Sequence, residues 1–180
     1  GCLVQSVAAW ADDIEAVAKA ASPNQPVVLF ALSQGAGGAI EFAATRQTRV
    51  SHLVIVGGYA RVIPECQNPI VQSPLTLLAN GLSSPNPGFR MLLNAGFALD
   101  ASRSDQEWLD ASLDRAIDAE SLGPLVAAMR SFDVRSRLPQ IAARTLVMHI
   151  TDDLVVQQAA GAEIARGVPG ARFVELPGRS

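Results

Sequence analysis

Apolar residues along this chain are spaced in two different ways, one typical of helices and one typical of strands. Residues 6–21 place Val7, Trp10, Ile14 and Val17 three or four positions apart with acidic residues between them, which predicts an amphipathic helix. Four short and continuous apolar runs follow, at residues 27–32, 52–56, 145–150 and 172–176. Runs of this length predict strands that are buried on both faces of a sheet.

The helical patterns between these runs indicate how the strands are connected. Residues 34–46 and 157–166 read as helices that join the first strand to the second and the third to the fourth. Alternation of helix and strand is typical of parallel strands joined by crossover helices. We therefore expect an α/β fold with a parallel sheet of about four strands flanked by helices.

A long segment between the second and third predicted strands has a different pattern. Residues 59–138 contain helical pieces broken by prolines and no strand-like run, and Ser104–Glu107 reads as a capping box that opens one of these helices. An insertion at this point would lie over the strand ends, as a lid does. We expect one domain, with core parts at 1–58 and 139–180 and a helical lid at 59–138.

Composition narrows the classes of function. The 180 residues are 49% hydrophobic and 17% charged with a net charge of −3, which argues against a nucleic-acid groove. Cys2 and Cys66 match no metal spacing, and no phosphate loop or dinucleotide fingerprint occurs, so we expect no metal and no cofactor. With no apolar stretch of membrane-spanning length and no leader pattern, we expect a cytoplasmic protein that acts on a small molecule.

The strongest chemical signal lies where the first strand pattern ends. Ala31-Leu32-Ser33-Gln34-Gly35 joins an apolar run to a helical stretch, with a small residue two positions before and two positions after the serine. Such a tight turn exposes the serine hydroxyl and directs the next N–H toward an oxyanion at the helix N-terminus. Ser33 is the candidate nucleophile and Gln34 the candidate oxyanion donor. The alternative is a structural serine in an ordinary strand-to-helix turn.

Several segments together resemble the α/β-hydrolase superfamily. They are residues 32–36 with the following helix, residues 49–59, residues 146–156 and the closing stretch 168–178. The resemblance runs from about Ser6 to the last residue, and it is closest to bacterial hydrolase-like domains that are sometimes fused to signalling domains. It implies a hydrolase of the serine type.

The resemblance also implies roles for individual residues. Ser33 matches the nucleophile, the N–H of Gln34 matches an oxyanion donor, and Asp153 matches the acid of the catalytic triad. Parallel strands end at one crevice, so side chains at the ends of two different strands can meet there. Asp152 is the second candidate for the acid, and the alternative for either aspartate is a turn residue that binds its own backbone.

Two features of the family pattern do not occur in these 180 residues. The family's general base is a histidine after the last strand, and we interpret His52 and His149, the only histidines, as core or strand-end residues. The strands and the second oxyanion donor that the family places before Ser6 do not occur either. We therefore expect a fragment with negligible turnover, whose strand at 27–32 is an exposed edge open to self-association or to strands of a partner.

The expected activity is hydrolysis of a small ester, amide or related carbonyl compound. Tyr59 and Trp108 are candidate substrate contacts, with packing inside the lid as the alternative for both. A carbon–carbon bond hydrolase or a cofactor-free haloperoxidase would use the same triad. A different class of function, a non-catalytic ligand-sensing or regulatory module of a signalling protein, also stays open, because fold does not imply function.

Overall fold

A parallel sheet of four strands forms the centre of the molecule. The structure is a computed structural model that describes residues 6–61, 102–116, 124–125, 127–129, 131–153 and 155–179. Its strands are β1 (Val27–Leu32), β2 (Val50–Val56), β3 (Arg144–Asp152) and β4 (Arg172–Arg179). Each strand pairs in parallel with the next one along the chain. The predicted α/β fold with about four parallel strands is confirmed.

Helices precede and connect the strands as the apolar spacing predicts. The described α-helices are α1 (Val7–Ala21), α2 (Gly35–Thr45), α3 (Arg103–Ala116) and α4 (Gln158–Gly167), and 3₁₀ helices cover Gln47–Arg49 and Arg135–Gln140. The hydroxyl of Ser6 accepts a hydrogen bond from the N–H of Ala9 at 3.1 Å and so begins α1.

The start of α3 differs from the prediction by two residues. The residue that caps this helix is Ser102, whose Oγ accepts from the N–H of Asp105 at 3.2 Å and donates to its carboxylate at 2.6 Å. Ser104 lies inside the first turn instead. The prediction was wrong because Ser104 and Glu107 have the capping-box spacing, and so do Ser102 and Asp105.

The last strand continues beyond its predicted end. The sequence predicted a loop from Pro177 onward, but β4 runs to Arg179. The pairing with β3 shifts here, because Ile150 pairs with Leu176 and Asp152 with Arg179. Between these pairs two residues of β4, Pro177 and Gly178, oppose one residue of β3, Thr151. A proline is tolerated at such a bulge because the regular ladder is already interrupted.

The hydrophobic core lies between one face of the sheet and the helices α1, α2 and α4. Its largest fully buried apolar side chains are Ile40, Phe42, Leu53, Ile55, Val134, Val147 and Ile164. A Cβ on Gly38 would lie 2.9 Å from the Cβ of Trp10, so this glycine allows α1 and α2 to pack closely.

The two faces of β1 have different surroundings. Ala31 is buried in the core, whereas the alternating side chains Val28, Phe30 and Leu32 are 62–67% exposed within the described structure. In the described sheet β1 pairs with β2 alone and is an edge strand.

Candidate active site at the carboxyl ends of the strands

Ser33 occupies a sharp turn between β1 and α2. Its φ is +51°, and it is the only non-glycine residue in the described part of the chain with a positive φ. Its N–H donates to the carbonyl of Val56 at 2.9 Å, and its own carbonyl accepts from the N–H of Ala36 at 3.1 Å. A left-handed backbone is strained for a residue with a Cβ, and such strain clusters at functional sites. The predicted sharp turn at this serine is present.

Close packing between β2 and the start of α2 limits the residues that fit beside this turn. A Cβ on Gly58 would lie 2.7 Å from the Cβ of Ala36 and 3.5 Å from the carbonyl oxygen of Ser33. No side chain therefore fits at position 58 without moving the turn. The glycine lets the end of β2 lie directly against the backbone that carries Ser33.

Gln34 is the N-cap residue of α2, immediately after the strained serine. The first N–H groups of a helix have no acceptor within the helix, and the helix dipole favours negative charge at this end. A negatively charged oxygen beside Ser33 would therefore meet N–H donors at the start of α2. The role of Gln34 as oxyanion donor stays a prediction.

Asp153 lies directly after β3, and its two carboxylate oxygens have different partners. Oδ1 accepts hydrogen bonds from the backbone N–H groups of Val155 and Val156, both at 2.8 Å. Oδ2 lies 3.4 Å from Nε2 of His149, and a Cβ on Gly57 would lie 3.7 Å from it. The turn-forming role that the sequence left open thus uses only one oxygen of this carboxylate.

Ser33 and Asp153 lie at the same edge of the sheet, with the end of β2 between them. The N–H of Ser33 binds the last residue of β2, and the N–H of Gly57 donates to the carbonyl of Met148 in β3 at 3.0 Å. Two interstrand spacings of about 4.8 Å separate the backbones of β1 and β3.

The surroundings of Asp153 favour its charged form. Burial raises the pKa of Asp153, but the hydrogen bonds from His149 and from the N–H groups of Val156 and Val155 outweigh burial, and the net pKa lies below the usual value. Burial likewise lowers the pKa of His149, but the Asp153 carboxylate and the Val156 carbonyl outweigh it and hold this pKa above the usual value. The two groups therefore stabilise each other's charged forms.

The other ionisable candidates have surroundings different from those of Asp153. Asp152 ends β3 as an exposed residue paired in register with Arg179. His52 is exposed in β2, four residues before Val56 and so about 13 Å from the carboxyl end of that strand. In the described part of the chain, neither His52 nor His149 hydrogen-bonds to the hydroxyl of Ser33.

His149 is the residue whose contacts the sequence reasoning missed. The prediction that it belongs to the core is confirmed, because it is 0% exposed. Its contact with Asp153 was not foreseen. No sequence signal indicated it, because four residues of extended chain span about 13 Å and the contact depends on the turn that follows β3.

The two candidate substrate contacts have different environments. Tyr59 follows Gly58, packs against the core and stacks on Phe132, with ring centroids 5.2 Å apart and an interplanar angle of 16°. Trp108 lies on α3 and is 68% exposed. The structure thus brings Tyr59 to the edge that carries Ser33, and it leaves Trp108 outside the core.

A charged groove of about 650 Å³ lies away from this edge, next to the start of β2. Its charged lining residues are Asp12, Glu15, Lys19, Arg46 and Arg49. They form ion pairs with each other, Arg46 with Asp12 and both Lys19 and Arg49 with Glu15. Because each of these charges has an ion-pair partner and the groove lies at the amino end of β2, it adds no group to the edge that carries Ser33.

Neither a metal cluster nor a membrane span occurs among the described residues. No three His, Cys, Asp or Glu side chains of that part of the chain lie close enough together to hold a metal ion. None of its helices has the length and apolar character that crossing a membrane requires.

The parallel sheet of four strands flanked by helices is that of an α/β-hydrolase fold. The model of a hydrolase family described as serine aminopeptidase, S33, a label unrelated to the residue Ser33, matches residues 2–177. The chain therefore belongs to this family of α/β-hydrolases.

Individual relatives are hydrolases with different names. The 2-hydroxy-6-oxononadienedioate/2-hydroxy-6-oxononatrienedioate hydrolase of Cupriavidus pinatubonensis is 29% identical over 148 residues, which are 78% of this chain and 50% of that protein. The solved esterase EaEST of Exiguobacterium antarcticum superposes with a TM-score of 0.78 at 20% identity, over 94% of this chain and 65% of that one. The solved enol-lactonase of Burkholderia xenovorans LB400 superposes with a TM-score of 0.70 at 22% identity, over 96% of this chain and 65% of that one.

The chain is shorter than the relatives that it matches. The chain spans half of the curated relative and about two thirds of each solved structure. The two solved structures share its fold.

Proposed function

We propose that the protein carrying this chain is a serine hydrolase that acts on a small ester, amide or related carbonyl compound. Ser33 is the nucleophile, the N–H of Gln34 binds the oxyanion, and Asp153 is the acid of the triad. One observation carries the proposal. The only strained non-glycine backbone of the described residues is at Ser33, and it shares a sheet edge with a carboxylate whose pKa is lowered.

The proposed reaction has two halves. Ser33 Oγ attacks the carbonyl carbon, a histidine takes the hydroxyl proton, and the N–H of Gln34 stabilises the negative oxygen of the tetrahedral intermediate. The histidine then protonates the leaving group and an acyl-serine remains. Water activated by the same histidine attacks the acyl group and returns Ser33 to its free form. Asp153 orients that histidine and stabilises its charged form.

Neither histidine of the 180 residues is suited to this task. His52 lies about four residues from the relevant strand end, and His149 is fully buried with its Nε2 against Val156 and Asp153. A serine hydroxyl without a base is a poor nucleophile at neutral pH. We propose that the 180-residue chain alone has negligible turnover and that the base comes from outside these residues.

The relatives support a small carbonyl substrate without selecting the bond. Their names describe a dienedioate hydrolase, an esterase and an enol-lactonase. Carbon–carbon bond hydrolysis and cofactor-free haloperoxidase chemistry would use the same triad. Residues 59–138 are proposed as a helical lid, with Tyr59 and Trp108 as candidate substrate contacts.

A fluorophosphonate probe tests this function in protein expressed from the complete reading frame. We expect labelling of the wild type and none of Ser33→Ala, because the probe reacts with an activated serine. Ser51→Ala is the matched control, since Ser51 lies in β2 and its hydroxyl donates to the carbonyl of Val27 at 3.1 Å. This control should be labelled like the wild type.

Two results would contradict the proposal. Labelling that persists in Ser33→Ala excludes Ser33 as the nucleophile. A wild type that takes up no probe, yet binds a small molecule, would favour the alternative of a non-catalytic sensing or regulatory module. The 180-residue chain alone should hydrolyse p-nitrophenyl acetate no faster than its Ser33→Ala variant.

A further inference from the structure

His149 is the most deeply buried ionisable side chain in the part of the molecule that the structure describes. It is 0% exposed, whereas the other buried charged side chain, Glu41, is 8% exposed and pairs with Arg137. The proposed reaction does not use His149 as a base. A buried histidine costs free energy unless its nitrogens have partners, so its contacts need an explanation.

One ring nitrogen of His149 contacts two residues of the loop that follows β3. Nε2 lies 2.7 Å from the carbonyl oxygen of Val156 and 3.4 Å from Oδ2 of Asp153. Both partners are acceptors, so Nε2 must carry the proton and donate it. We call Asp153, Val155 and Val156 the acid loop, and His149 thus connects this loop to the carboxyl-terminal half of β3.

The other side of the ring is closed by a helix. Nδ1 is buried and no described residue offers it a hydrogen-bond partner. A Cβ on Gly161 of α4 would lie 2.5 Å from Nδ1, so the backbone of this helix lies directly against the ring. The ring therefore cannot retreat from the acid loop, and the protonated Nε2 stays directed toward Val156 and Asp153.

The two oxygens of Asp153 are consequently held by different groups. Backbone N–H groups of Val155 and Val156 hold Oδ1, and the carbonyl of that same Val156 is held by His149. Removal of the imidazole would free the Val156 carbonyl and would leave Oδ2 without its nearest donor. Both changes loosen the carboxylate that the reaction needs in a fixed orientation.

We propose that His149 is a positioning residue for Asp153. Its Nε2–H donates to the Val156 carbonyl, its ring lies against the Asp153 carboxylate, and these two contacts fix the acid at the carboxyl end of β3. This role rests on the proposed function. It goes beyond that function because His149 touches neither the nucleophile nor the oxyanion donor. Misplacement of a reacting group by about 1 Å can cost on the order of 100-fold in rate.

The test compares two substitutions of His149 in protein expressed from the complete reading frame, with p-nitrophenyl acetate as substrate. His149→Leu removes both nitrogens and should lower kcat by about 10- to 100-fold while KM stays nearly constant. His149→Gln places an amide N–H near the position of Nε2 and should restore most of the loss. His52→Gln, at the exposed histidine of β2, is the control and should match the wild type.

A double substitution separates positioning from general destabilisation. If His149 acts through Asp153, the pair Asp153→Asn with His149→Leu should lose no more activity than Asp153→Asn alone. Fully additive losses would overturn the proposal. So would a His149→Leu enzyme with the kcat of the wild type, or equal losses in the Leu and Gln variants.

The unmodified protein offers a measurement that does not depend on any variant folding. Nitrogen NMR shifts of His149, recorded where the ring is neutral, should report a proton on Nε2 and none on Nδ1. The opposite tautomer would overturn the proposal.

Failure of the proposed function can be distinguished from failure of the positioning role. If the proposed function is wrong, Ser33→Ala keeps its activity. If only the positioning role is wrong, Ser33→Ala is inactive.

Discussion

The ends of β1 and β3 hold their candidate catalytic side chains by different means. At the end of β1 the backbone itself positions Ser33, through a φ of +51° and the hydrogen bond from its N–H to Val56. At the end of β3 the carboxylate of Asp153 is positioned by two backbone N–H donors and by the buried imidazole of His149, whose Nε2 lies 3.4 Å from Oδ2. The site therefore combines one residue set by backbone conformation with one set by polar contacts.

This difference predicts which kind of substitution each end tolerates. Replacement of the Ser33 side chain would remove the proposed nucleophile but leave the turn, because among the described residues the turn is held by backbone hydrogen bonds of Ser33. Changes at Asp153 alter both the charge and the contacts that order the acid loop. Variants at the two ends can therefore test backbone control and polar control separately.

The largest effect, on kcat, is expected from removal of the charge of Asp153. Asp153→Asn keeps the shape and the Oδ1 acceptor but removes the negative charge, so we expect kcat for p-nitrophenyl acetate to fall by about 10⁴-fold, as for a triad acid. Asp152→Asn is the matched control, since Asp152 is the adjacent carboxylate and is exposed at the end of β3. Comparable kinetics of the two variants would show that Asp153 is only a turn residue.

A smaller effect, on stability, is expected from the backbone of Ser33. Glycine adopts a positive φ without the strain that alanine keeps, so Ser33→Gly should be more stable than Ser33→Ala by about 1 kcal/mol in urea unfolding. Ser51 in β2 has no positive φ, and there the order should be reversed, with glycine less stable than alanine. An alanine variant at position 33 as stable as the glycine variant would contradict the strained turn.

Most of the fold could be predicted from local pattern because each element had its own signal. The apolar runs marked all four strands, and Ser6 and the period of residues 7–17 marked α1. The two wrong predictions of element boundaries have a common cause. The start of α3 at Ser102 and the continuation of β4 through Pro177 depend on which of several compatible local patterns the tertiary structure selects.

The candidate site was predictable only to the level of residue types. Small residues around Ser33 required a tight turn, and parallel strands required that Ser33 and Asp153 share an edge. The role of His149 could not be derived in the same way, because a buried histidine in a strand gives no sign of which acceptors its ring will meet. Substrate choice depends on surfaces that local pattern does not specify, and one fold serves many reactions.

The most direct test of the account is the crystal structure of the complete-frame protein after reaction with a fluorophosphonate. We predict a phosphonyl group on the Oγ of Ser33, an oxygen of that group near the N–H of Gln34, and an imidazole between the adduct and Oδ2 of Asp153. An adduct on another residue, or an imidazole oriented by a carboxylate other than Asp153, would contradict the account.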